Sequence, residues 1–435
     1  MNKIEKLIKE LCPNGVEYKK LIELGKFYGG VTGKSKDDFK EGNKKFITYI
    51  NVFNNPALRL DLEDKVKIKD DENQRRLEYC DVIFTGSSET PDECAFSSVV
   101  TEEPQEDYYL NSFCFIWRMQ DKTIYNPHFL KHLFRSDELR EQLIKTASGV
   151  TRFNVSKKAM ENVEIPVPPL PIQEEIVRIL DNFTELTAEL TAELQDRKKQ
   201  YEYYRDSLLN FKNDIEFKRI GDIATISRGG SFQKSDFVES GKPAIHYGKI
   251  YTHYDTYTDK TINFVSEEVF NKSRKAQPND IVMAVTSENV EDVCKCVAWL
   301  GNEEVAVSGH TAIIHHNQNP KYLSYYFHSS LFLKQKEKLA HGTKVIEVTP
   351  DRLNDVVIPV PPIDIQERIV NVLDNFEKIC NDLKIGLPAE IELRQKQYEY
   401  YRDMLLTFPE NDLCLSKQAS KQASKQASIA TTMTK

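Results

Sequence analysis

Two long stretches of the chain carry apolar residues at helical spacing. Each stretch follows the motif IPVPP, at Ile165–Pro169 and at Ile358–Pro362. Successive seam positions are three or four residues apart, with Arg197 and Arg394 each occupying one of them, which is the heptad pattern of a coiled-coil seam. The first seam comprises Ile172, Ile176, Ile179, Phe183, Leu186, Leu190, Leu194, Tyr201, Tyr204 and Leu208. The second comprises Ile365, Ile369, Val372, Phe376, Ile379, Leu383, Leu387, Ile391, Tyr398, Tyr401 and Leu405.

We expect the two predicted helices to pair with each other. A long, exposed helix with a single apolar seam is unstable alone in water, so an antiparallel coiled coil is favoured. In that arrangement the helices would act as a spacer; an ordinary surface helix packed on its own domain is the alternative. Gly386 and Pro388 interrupt the second seam. They predict a helix stop at Gly386 and a restart with Pro388 in the first turn.

The helical stretches belong to a repeat that covers nearly the whole chain, over residues 16–211 and 215–408. LDNF occurs at Leu180–Phe183 and Leu373–Phe376, and QYEYYRD occurs at Gln200–Asp206 and Gln397–Asp403. Between these motifs the second copy carries four extra residues, and the first copy contains the tetrapeptide TAEL twice. Two copies of one unit predict a pseudo-two-fold molecule, which suits a target presented as two half-sites.

Short β-like runs alternate with helical stretches in the remainder of each unit. The predicted strands are Phe46–Ile50, Val82–Phe84, Phe113–Trp117, Ala244–Tyr247, Ile281–Val285 and Thr311–Ile314, and the helical stretches are Phe129–Lys145 and Tyr322–Leu339. These elements predict a mixed α+β fold with two pseudo-symmetric globular domains separated by the two helices. The predicted segments are a first globular domain over 1–164, a first spacer helix over 165–211, a second globular domain over 212–357, a second spacer helix over 358–408 and a disordered low-complexity tail over 409–435.

Composition places few limits on this organisation. The 435 residues suffice for two domains with substantial cores, and the formal net charge is −8. Most of that negative charge lies in the two helical stretches, so the globular parts can still present local basic clusters to a polyanion. The chain contains neither a membrane-length apolar run nor a signal-peptide pattern, and we therefore expect a cytoplasmic protein.

The segment Gly29–Ser35, GGVTGKS, resembles a phosphate-binding loop but has the wrong spacing. Such a loop needs four residues between its first glycine and the Gly-Lys pair, and Gly29 leaves only three. The second copy has Gln233 in place of Gly33. A glycine-rich turn that places Lys34 and Ser35 at a surface is favoured, and a nucleotide-binding enzyme is kept as an alternative.

Polar and basic residues in segments that correspond between the two copies are the candidates for contacts to DNA, because their side chains bond phosphates and base edges. In the first copy they are Lys34, Ser35, Lys36, Arg75, Arg76, Ser87, Thr151, Arg152 and Asn154. In the second copy they are Lys234, Ser235, Arg274, Lys275, Ser287 and Lys344.

Motifs for catalysis are not found in the sequence. Asn55-Pro56, Asn126-Pro127 and Asn319-Pro320 all lack the second proline of an amino-methylation motif. We find neither a GxGxG segment nor an HExxH zinc motif, and no metal site is predicted. The sequence therefore predicts a protein without catalytic machinery of its own.

The repeated IPVPP, LDNF and QYEYYRD segments resemble the DNA-specificity subunit of type I restriction-modification systems. The resemblance covers about residues 16–408. It implies two target recognition domains, each of which reads one half of a bipartite DNA sequence, with the helices fixing the separation between the halves.

The same resemblance implies which partners supply the chemistry. Two methyltransferase subunits would dock on this subunit, and ATP-driven restriction subunits would join them. S-adenosylmethionine, ATP and magnesium are expected in those partners only, and no cofactor is expected in this chain. A coiled-coil adaptor without affinity for DNA is the second alternative.

Overall fold

The structure is a computed structural model that describes residues 3–211, 215–381 and 386–408. Two compact units divide the chain. Unit 1 comprises Met1–Glu189 together with Ile391–Lys435, and unit 2 comprises Leu190–Glu390. The predicted disordered tail, residues 409–435, lies outside the described residues. Each unit mixes helices and strands, as the sequence predicts.

Unit 1 contains twelve described strands and most of seven helices. The strands are β1 Tyr18–Lys20, β2 Gly25–Gly29, β3 Lys44–Ile47, β4 Lys65–Val66, β5 Val82–Thr85, β6 Ser87–Ser88, β7 Ser97–Val99, β8 Tyr108–Leu110, β9 Cys114–Met119, β10 Ala147–Gly149, β11 Phe153–Val155 and β12 Glu164–Pro166. The helices are α1 Lys3–Leu11, α2 Leu21–Leu24, α3 Tyr49–Asn54, α4 Pro127–Leu133, α5 Asp137–Ile144, α6 Lys157–Met160 and α7 Leu170–Leu209, whose residues from Leu190 onwards belong to unit 2.

Unit 2 repeats this plan with fourteen described strands. They are β13 Phe217–Arg219, β14 Ala224–Arg228, β15 Phe237–Val238, β16 Lys242–Ile245, β17 Tyr257–Thr258, β18 Asn263–Val265, β19 Lys275–Ala276, β20 Ile281–Ala284, β21 Thr286–Ser287, β22 Cys296–Trp299, β23 Val305–Val307, β24 Thr311–His316, β25 Ile346–Glu347 and β26 Val357–Pro359. The helices are α8 Ile220–Ile223, α9 Tyr247–Thr252, α10 Glu267–Lys272, α11 Pro320–Phe327, α12 Ser330–Leu339, α13 Pro350–Leu353, α14 Ile363–Asn381 and α15 Leu387–Leu406, which continues into unit 1 from Ile391.

A sheet whose central strands are buried on both faces forms the centre of each unit. Its strand order is β2-β9-β5-β7 in unit 1 and β14-β24-β20-β22-β17 in unit 2. Side chains alternate between faces along a strand, so Val82 and Phe84 enter one apolar cluster while Ile83 enters another. Burial on both faces explains why the central strand is a continuous apolar run in the sequence.

Two predicted strands end earlier than expected because a helix begins at once. Strand β3 ends at Ile47, and Thr48 caps helix α3 by accepting a hydrogen bond from the Asn51 amide at 3.3 Å. In unit 2, His246 plays the same part after β16 and accepts from the Gly248 amide at 3.1 Å. The predictions that strands run to Ile50 and Tyr247 are therefore wrong at their ends, since these caps start helices.

The helical stretch predicted at Phe129–Lys145 is two helices, α4 and α5, and Tyr322–Leu339 is likewise divided into α11 and α12. The Ser136 hydroxyl donates to the Leu133 carbonyl at 2.7 Å, and Ser329 donates to Tyr326 at 2.6 Å. A serine bonded to the preceding turn closes the first helix, and it then occupies the N-cap position of the second.

The IPVPP motif forms a short strand that leads directly into a long helix. Strand β12 pairs antiparallel with β1, and β26 pairs with β13. Two prolines then end the strand, because they cannot donate to a ladder, and α7 begins at Leu170.

A buried glutamine fixes the start of each long helix. Gln173 is fully buried, and its side-chain oxygen accepts from the Asn126 amide at 2.8 Å. Its amide nitrogen donates to Pro168 at 2.7 Å and to Ile124 at 2.9 Å. Asn126 is the N-cap of α4, so one side chain ties together the proline strand, the long helix and a helix of the globular part.

Gln366 repeats two of these contacts in unit 2, and its third hydrogen bond goes to the Gln318 side chain at 2.8 Å. It accepts from the Asn319 amide at 3.0 Å and donates to Pro361 at 2.8 Å. The repeated Asn-Pro, IPVPP and glutamine are therefore parts of one hydrogen-bonded joint.

The long helices pair through the other two repeated motifs. In unit 1 the LDNF residue Phe183 stacks on Tyr401 of QYEYYRD, with ring centroids 5.3 Å apart. In unit 2 Phe376 stacks on Tyr204, also at 5.3 Å. Helix α7 thus pairs first with α15 and then with α14, which is the order of an antiparallel coiled coil.

The aspartate that ends each QYEYYRD motif caps a helix of the globular part. Asp403 accepts from the Asp137 amide at 2.9 Å in unit 1, and Asp206 accepts from the Ser330 amide at 3.3 Å in unit 2. A carboxylate at a helix N-terminus satisfies unpaired amides and complements the helix dipole. The stacked tyrosine and the final aspartate of each QYEYYRD motif therefore both have a structural role.

The predicted restart of the second long helix is confirmed. Helix α15 begins at Leu387 with Pro388 in its first turn, directly after Gly386. The preceding helix α14 ends at Asn381, and residues 382–385 lie outside the described residues. Within the described parts of the chain, no helix is long and apolar enough to cross a membrane.

Replacing Gln173 by leucine should destabilise unit 1 by about 2–4 kcal/mol, because it leaves a buried amide and two buried carbonyls without partners. Urea denaturation of the full chain, followed by far-UV circular dichroism, would measure the shift. Gln195→Leu is the matched control, since Gln195 is exposed on the same helix. Equal shifts for the two variants would contradict the role of Gln173.

Candidate nucleic-acid interface

A β-hairpin projects from unit 1 beside the end of the central sheet. Strands β10 and β11 pair antiparallel, and Asn154 and Phe153 of β11 pair with Ser87 and Ser88 of β6. This pairing brings the predicted residues Ser87, Thr151, Arg152 and Asn154 together, although Ser87 lies far from the others in sequence. We call residues 147–155 the first hairpin.

Glycine is required at the turn of this hairpin. Gly149 has φ +154°, and a Cβ there would lie 2.1 Å from the Arg152 carbonyl oxygen. Gly342 in unit 2 has φ +115°, with the corresponding contact to Val345 at 2.0 Å. The two repeated glycines therefore mark the same tight turn, since only glycine tolerates this combination of φ and close approach.

The tip of the first hairpin is exposed and chemically mixed. Val150 is 91% exposed, and Thr151 and Arg152 follow it. The Arg152 guanidinium lies over the ring of Phe113, with its central carbon 5.4 Å from the ring centroid. It also donates to the Ser87 hydroxyl at 3.1 Å. Both partners are neutral, so the positive charge stays available for a ligand.

The first hairpin forms one wall of an open recess of about 790 Å³. Its lining mixes aromatic, acidic and hydroxyl side chains with one cation. The lining residues are Tyr49, Ile50, Phe53, Ser87, Ser88, Glu89, Thr90, Glu93, Phe113, Thr151 and Arg152. Ile50 and Phe113 are exposed large apolar residues.

The buried Arg140 positions the loop that carries Glu89 and Glu93, the two acidic residues of the recess. Arg140 donates to the carbonyl oxygens of Asp92, Cys94 and Ala95 at 2.8, 2.6 and 2.7 Å. Burial lowers the pKa of Arg140 to about 10, which leaves it protonated at neutral pH. Ala95 has φ +53°, a left-handed conformation that these bonds help to hold.

Unit 2 contains the equivalent loop with different side chains. Lys336 donates to the carbonyls of Glu291 and Val293 at 2.6 and 2.7 Å, and Cys294 has φ +66°. The buried cation and the left-handed residue thus recur although neither residue type is kept. The loop geometry is conserved within the chain by a lysine in one unit and an arginine in the other.

The second hairpin, residues 341–347, has a different tip. Ile346 and Glu347 of β25 pair with β21, whose predicted DNA contact is Ser287. The tip consists of Gly342, Thr343, Lys344 and Val345. Val345, which is 58% exposed, occupies the repeat position of Arg152. Lys344 occupies the position of Thr151.

A recess of about 570 Å³ lies in unit 2. One of its lining residues, Tyr247, follows a helix cap after β16, as Tyr49 does after β3 in unit 1. The recess is lined by Ser231, Phe232, Gln233, Lys234, His246, Tyr247, Ser308, Gly309 and His310. Tyr247 contacts both histidine rings, with centroid distances of 4.5 Å to His246 and 5.2 Å to His310. Burial lowers the pKa of His246, so it is neutral at pH 7. The predicted contact Lys234 lies here, and Ser235 follows it.

Several other predicted contacts in unit 1 are engaged within the protein. The Lys34 ammonium pairs with Glu72 and donates to the Lys67 carbonyl, and its side chain is only 5% exposed. The Ser35 hydroxyl donates to Asp38 at 2.8 Å.

The neighbouring arginines are also engaged. The Arg75 guanidinium lies 3.8 Å from the ring centroid of Tyr28, and Arg76 pairs with Asp107 at 2.8 Å. In unit 2 the Lys275 ammonium lies 5.1 Å from the ring of Phe270. Lys36 and Arg274 are exposed.

The recess residues Phe113, Glu89 and Glu93 are absent from the predicted set. Phe113 appears in the sequence as part of an ordinary β-strand, yet it is 57% exposed and precedes β9. The recurrence of a tyrosine after the strand, at Tyr49 and Tyr247, is the one signal that could have located both recesses from the sequence.

The sequence matches one protein family twice. The family described as "Type I restriction modification DNA specificity domain" matches residues 13–197 and 212–393. These two matches cover most of the chain, and each contains one hairpin and one recess.

Two relatives are named as type I restriction enzyme specificity subunits. One, from Escherichia coli, is 41% identical over 273 residues, which are 59% of this chain and 65% of that protein. The alignment thus spans slightly less than two thirds of that relative. Another, from Haemophilus influenzae, is 32% identical over 305 residues, or 65% of this chain and 72% of that protein.

A solved structure shares the fold. It was described in a study of complex assembly and conformational transition of the type I R-M system, and the matched chain has a TM-score of 0.63. The two chains are 17% identical, and the match covers 91% of this chain and 98% of that chain.

Replacing Arg140 by methionine should loosen the acidic loop of the recess, since three buried carbonyls lose a charged donor. We expect faster hydrogen exchange over residues 89–96 and a loss of about 2–4 kcal/mol in stability. Arg140→Lys is the matched control, because Lys336 performs this task in unit 2. Exchange as slow in the methionine variant as in the wild type would contradict this role.

Proposed function

Because this chain belongs to the type I restriction modification DNA specificity family, we propose that its two recognition domains read the two halves of a bipartite DNA sequence. The chain is a specificity subunit with two such domains, and it is the non-catalytic member of its system. Its own role is therefore to choose the DNA site.

An exposed hairpin tip and an open recess, which occur in both units, are the observation that carries this proposal; in unit 1 the hairpin lines the recess. A two-stranded β-ribbon fits the major groove, where each base pair offers a distinct pattern of donors, acceptors and methyl groups. Exposed Val150 and Val345 suit contact with thymine methyl groups. The neighbouring Thr151, Arg152 and Lys344 can bond base edges or phosphates.

We propose that the predicted DNA contacts form two groups, one for each half-site. Ser87, Thr151, Arg152 and Asn154 serve the first half-site, and Lys234, Ser235, Ser287 and Lys344 serve the second. Exposed Lys36 and Arg274 are suited to phosphates, which position a protein without specifying sequence. Lys34, Ser35 and Arg76, which bond to acidic side chains, would reach DNA only by giving up those contacts, whereas Arg75 and Lys275 contact aromatic rings and keep their charge.

We also propose that the catalytic steps occur in partner subunits. Two methyltransferase subunits would dock on this chain and add methyl groups to adenine, and restriction subunits would join them. S-adenosylmethionine, ATP and magnesium would bind to those partners and not to this chain. The complex would act in the cytoplasm.

Neither alternative function has an observation in its favour. A nucleotide-binding enzyme built on Lys34 would need its ammonium free, but Glu72 and Lys67 engage it. The residues after Lys34 form a short 3-10 helix, Lys36–Phe39, and not the α-helix that follows a phosphate-binding loop. A coiled-coil adaptor without affinity for DNA would not explain the two exposed hairpin tips and the two recesses.

Mapping methylated adenines across the host genome, with and without this gene, tests the proposal. A bipartite motif should disappear with the gene. Exchanging residues 231–347 for the segment of a relative should then alter one half of the motif and leave the other half unchanged. A change in both halves would contradict separate reading by the two units.

Deleting Thr191–Leu194 should change the number of unspecified base pairs between the half-sites. Four residues shorten a helix by ~6 Å and rotate it by ~40° beyond a full turn, so the apolar seam stays roughly aligned. Selection from DNA libraries with variable spacers would measure the preferred spacing. Glu193→Gln, which keeps the helix length, is the control; an unchanged spacing in the deletion variant would refute the helices as a ruler.

A further inference from the structure

We infer that Arg152 reads a guanine in the first half-site. This inference rests on the proposed function and adds a specific base contact to it. The chemical basis is the planar guanidinium, whose paired donors match the O6 and N7 acceptors of guanine in the major groove.

The guanidinium is held in place before any ligand arrives. Phe113 supports one face, and the Ser87 hydroxyl accepts one hydrogen bond at 3.1 Å. Ser87 is buried and belongs to β6, which pairs with the strand that follows Arg152. Because the side chain is already oriented, less conformational entropy is lost when it binds a base.

The partners of Arg152 differ from those of several other cations around the unit 1 sheets. Arg59, Arg76, Arg118, Lys34, Lys44 and Lys45 each pair with a carboxylate. Arg152 forms no ion pair among the described residues, and its partners are a hydroxyl and an aromatic ring. Its guanidinium therefore bonds to no carboxylate in the described parts of the chain, while a hydroxyl and a ring orient it.

The charge of the recess favours a base over a phosphate. Glu89 and Glu93 line the same recess, and carboxylates repel the DNA backbone. A G·C pair offers the complement: guanine accepts from arginine, and the cytosine amino group donates to a carboxylate. Glu89 is exposed and can supply that carboxylate, whereas Glu93 already accepts from Ser88 at 2.8 Å.

Unit 2 cannot make this contact in the same way. Val345 stands at the repeat position of Arg152, and His310 stands at the position of Phe113. The described recess of unit 2 is formed by other residues, among them Lys234, His246 and His310. The guanine contact therefore belongs to one half-site, and its loss should leave the other half-site unaltered.

Arg152→Lys is the decisive variant, because lysine keeps the charge and loses the planar fork. The full chain, assembled with its methyltransferase partner, would be used to select binders from a randomised duplex DNA library. The wild type should select a first half-site that contains guanine. The variant should lose about ten-fold or more of the preference for guanine at one base pair, with the second half-site unchanged.

Two further variants separate base reading from folding and from general charge. Ser87→Ala removes the hydrogen bond that orients Arg152, so it should relax the same base pair to a smaller extent. Arg59→Lys is the matched control, because Arg59 is exposed on the same unit and paired with Asp61. It should leave every position unchanged.

The outcomes distinguish this inference from the proposed function. If the wild type selects a bipartite sequence and Arg152→Lys selects the same one with the same preference, Arg152 is a phosphate anchor and the inference is wrong. A first half-site without guanine on either strand would also overturn it. If the wild type selects no sequence at all, the proposed function itself fails.

Discussion

The joint made by a buried glutamine is the interaction on which the arrangement of each unit depends. Gln173 and Gln366 use donor and acceptor together, and each bonds the N-cap of a globular helix and the proline strand that precedes a long helix. The side-chain oxygen and nitrogen of each buried glutamine are both hydrogen-bonded. This restricts the direction of the long helix, since another direction would leave buried polar groups unpaired. The joint thereby sets the angle at which each long helix leaves its globular part.

Contacts between different motifs explain why LDNF and QYEYYRD are repeated together. The LDNF phenylalanine of one long helix stacks on a QYEYYRD tyrosine of the other, and this happens once in each unit. The motif aspartates cap helices of the globular parts. The hairpin tips and recess linings, which make few such contacts, differ between the units, so the duplicated frame supports two different surfaces.

Elements set by local patterns could be predicted from the sequence, and those set by distant partners could not. The central strand at Val82–Phe84 is predicted correctly because burial on both faces leaves a continuous apolar run. The helices that start after Thr48 and His246 were missed, since a strand and a helix adjoin there without a loop. The correspondence of the loops 148–154 and 341–347 points to Arg152, whereas the engagement of Lys34 depends on Glu72, which no local pattern reveals.

The division of the chain into units has a consequence for synthesis on the ribosome. The core of unit 1 includes Tyr398, Leu405, Leu406 and Phe408, whereas unit 2 is one continuous segment that ends at Glu390. Because chains emerge from the N-terminus, unit 2 has all its residues before unit 1 does, although unit 1 is begun first. A nascent or prematurely terminated chain therefore exposes an apolar face on its oldest part, where a chaperone or protease can act until the final helix is complete.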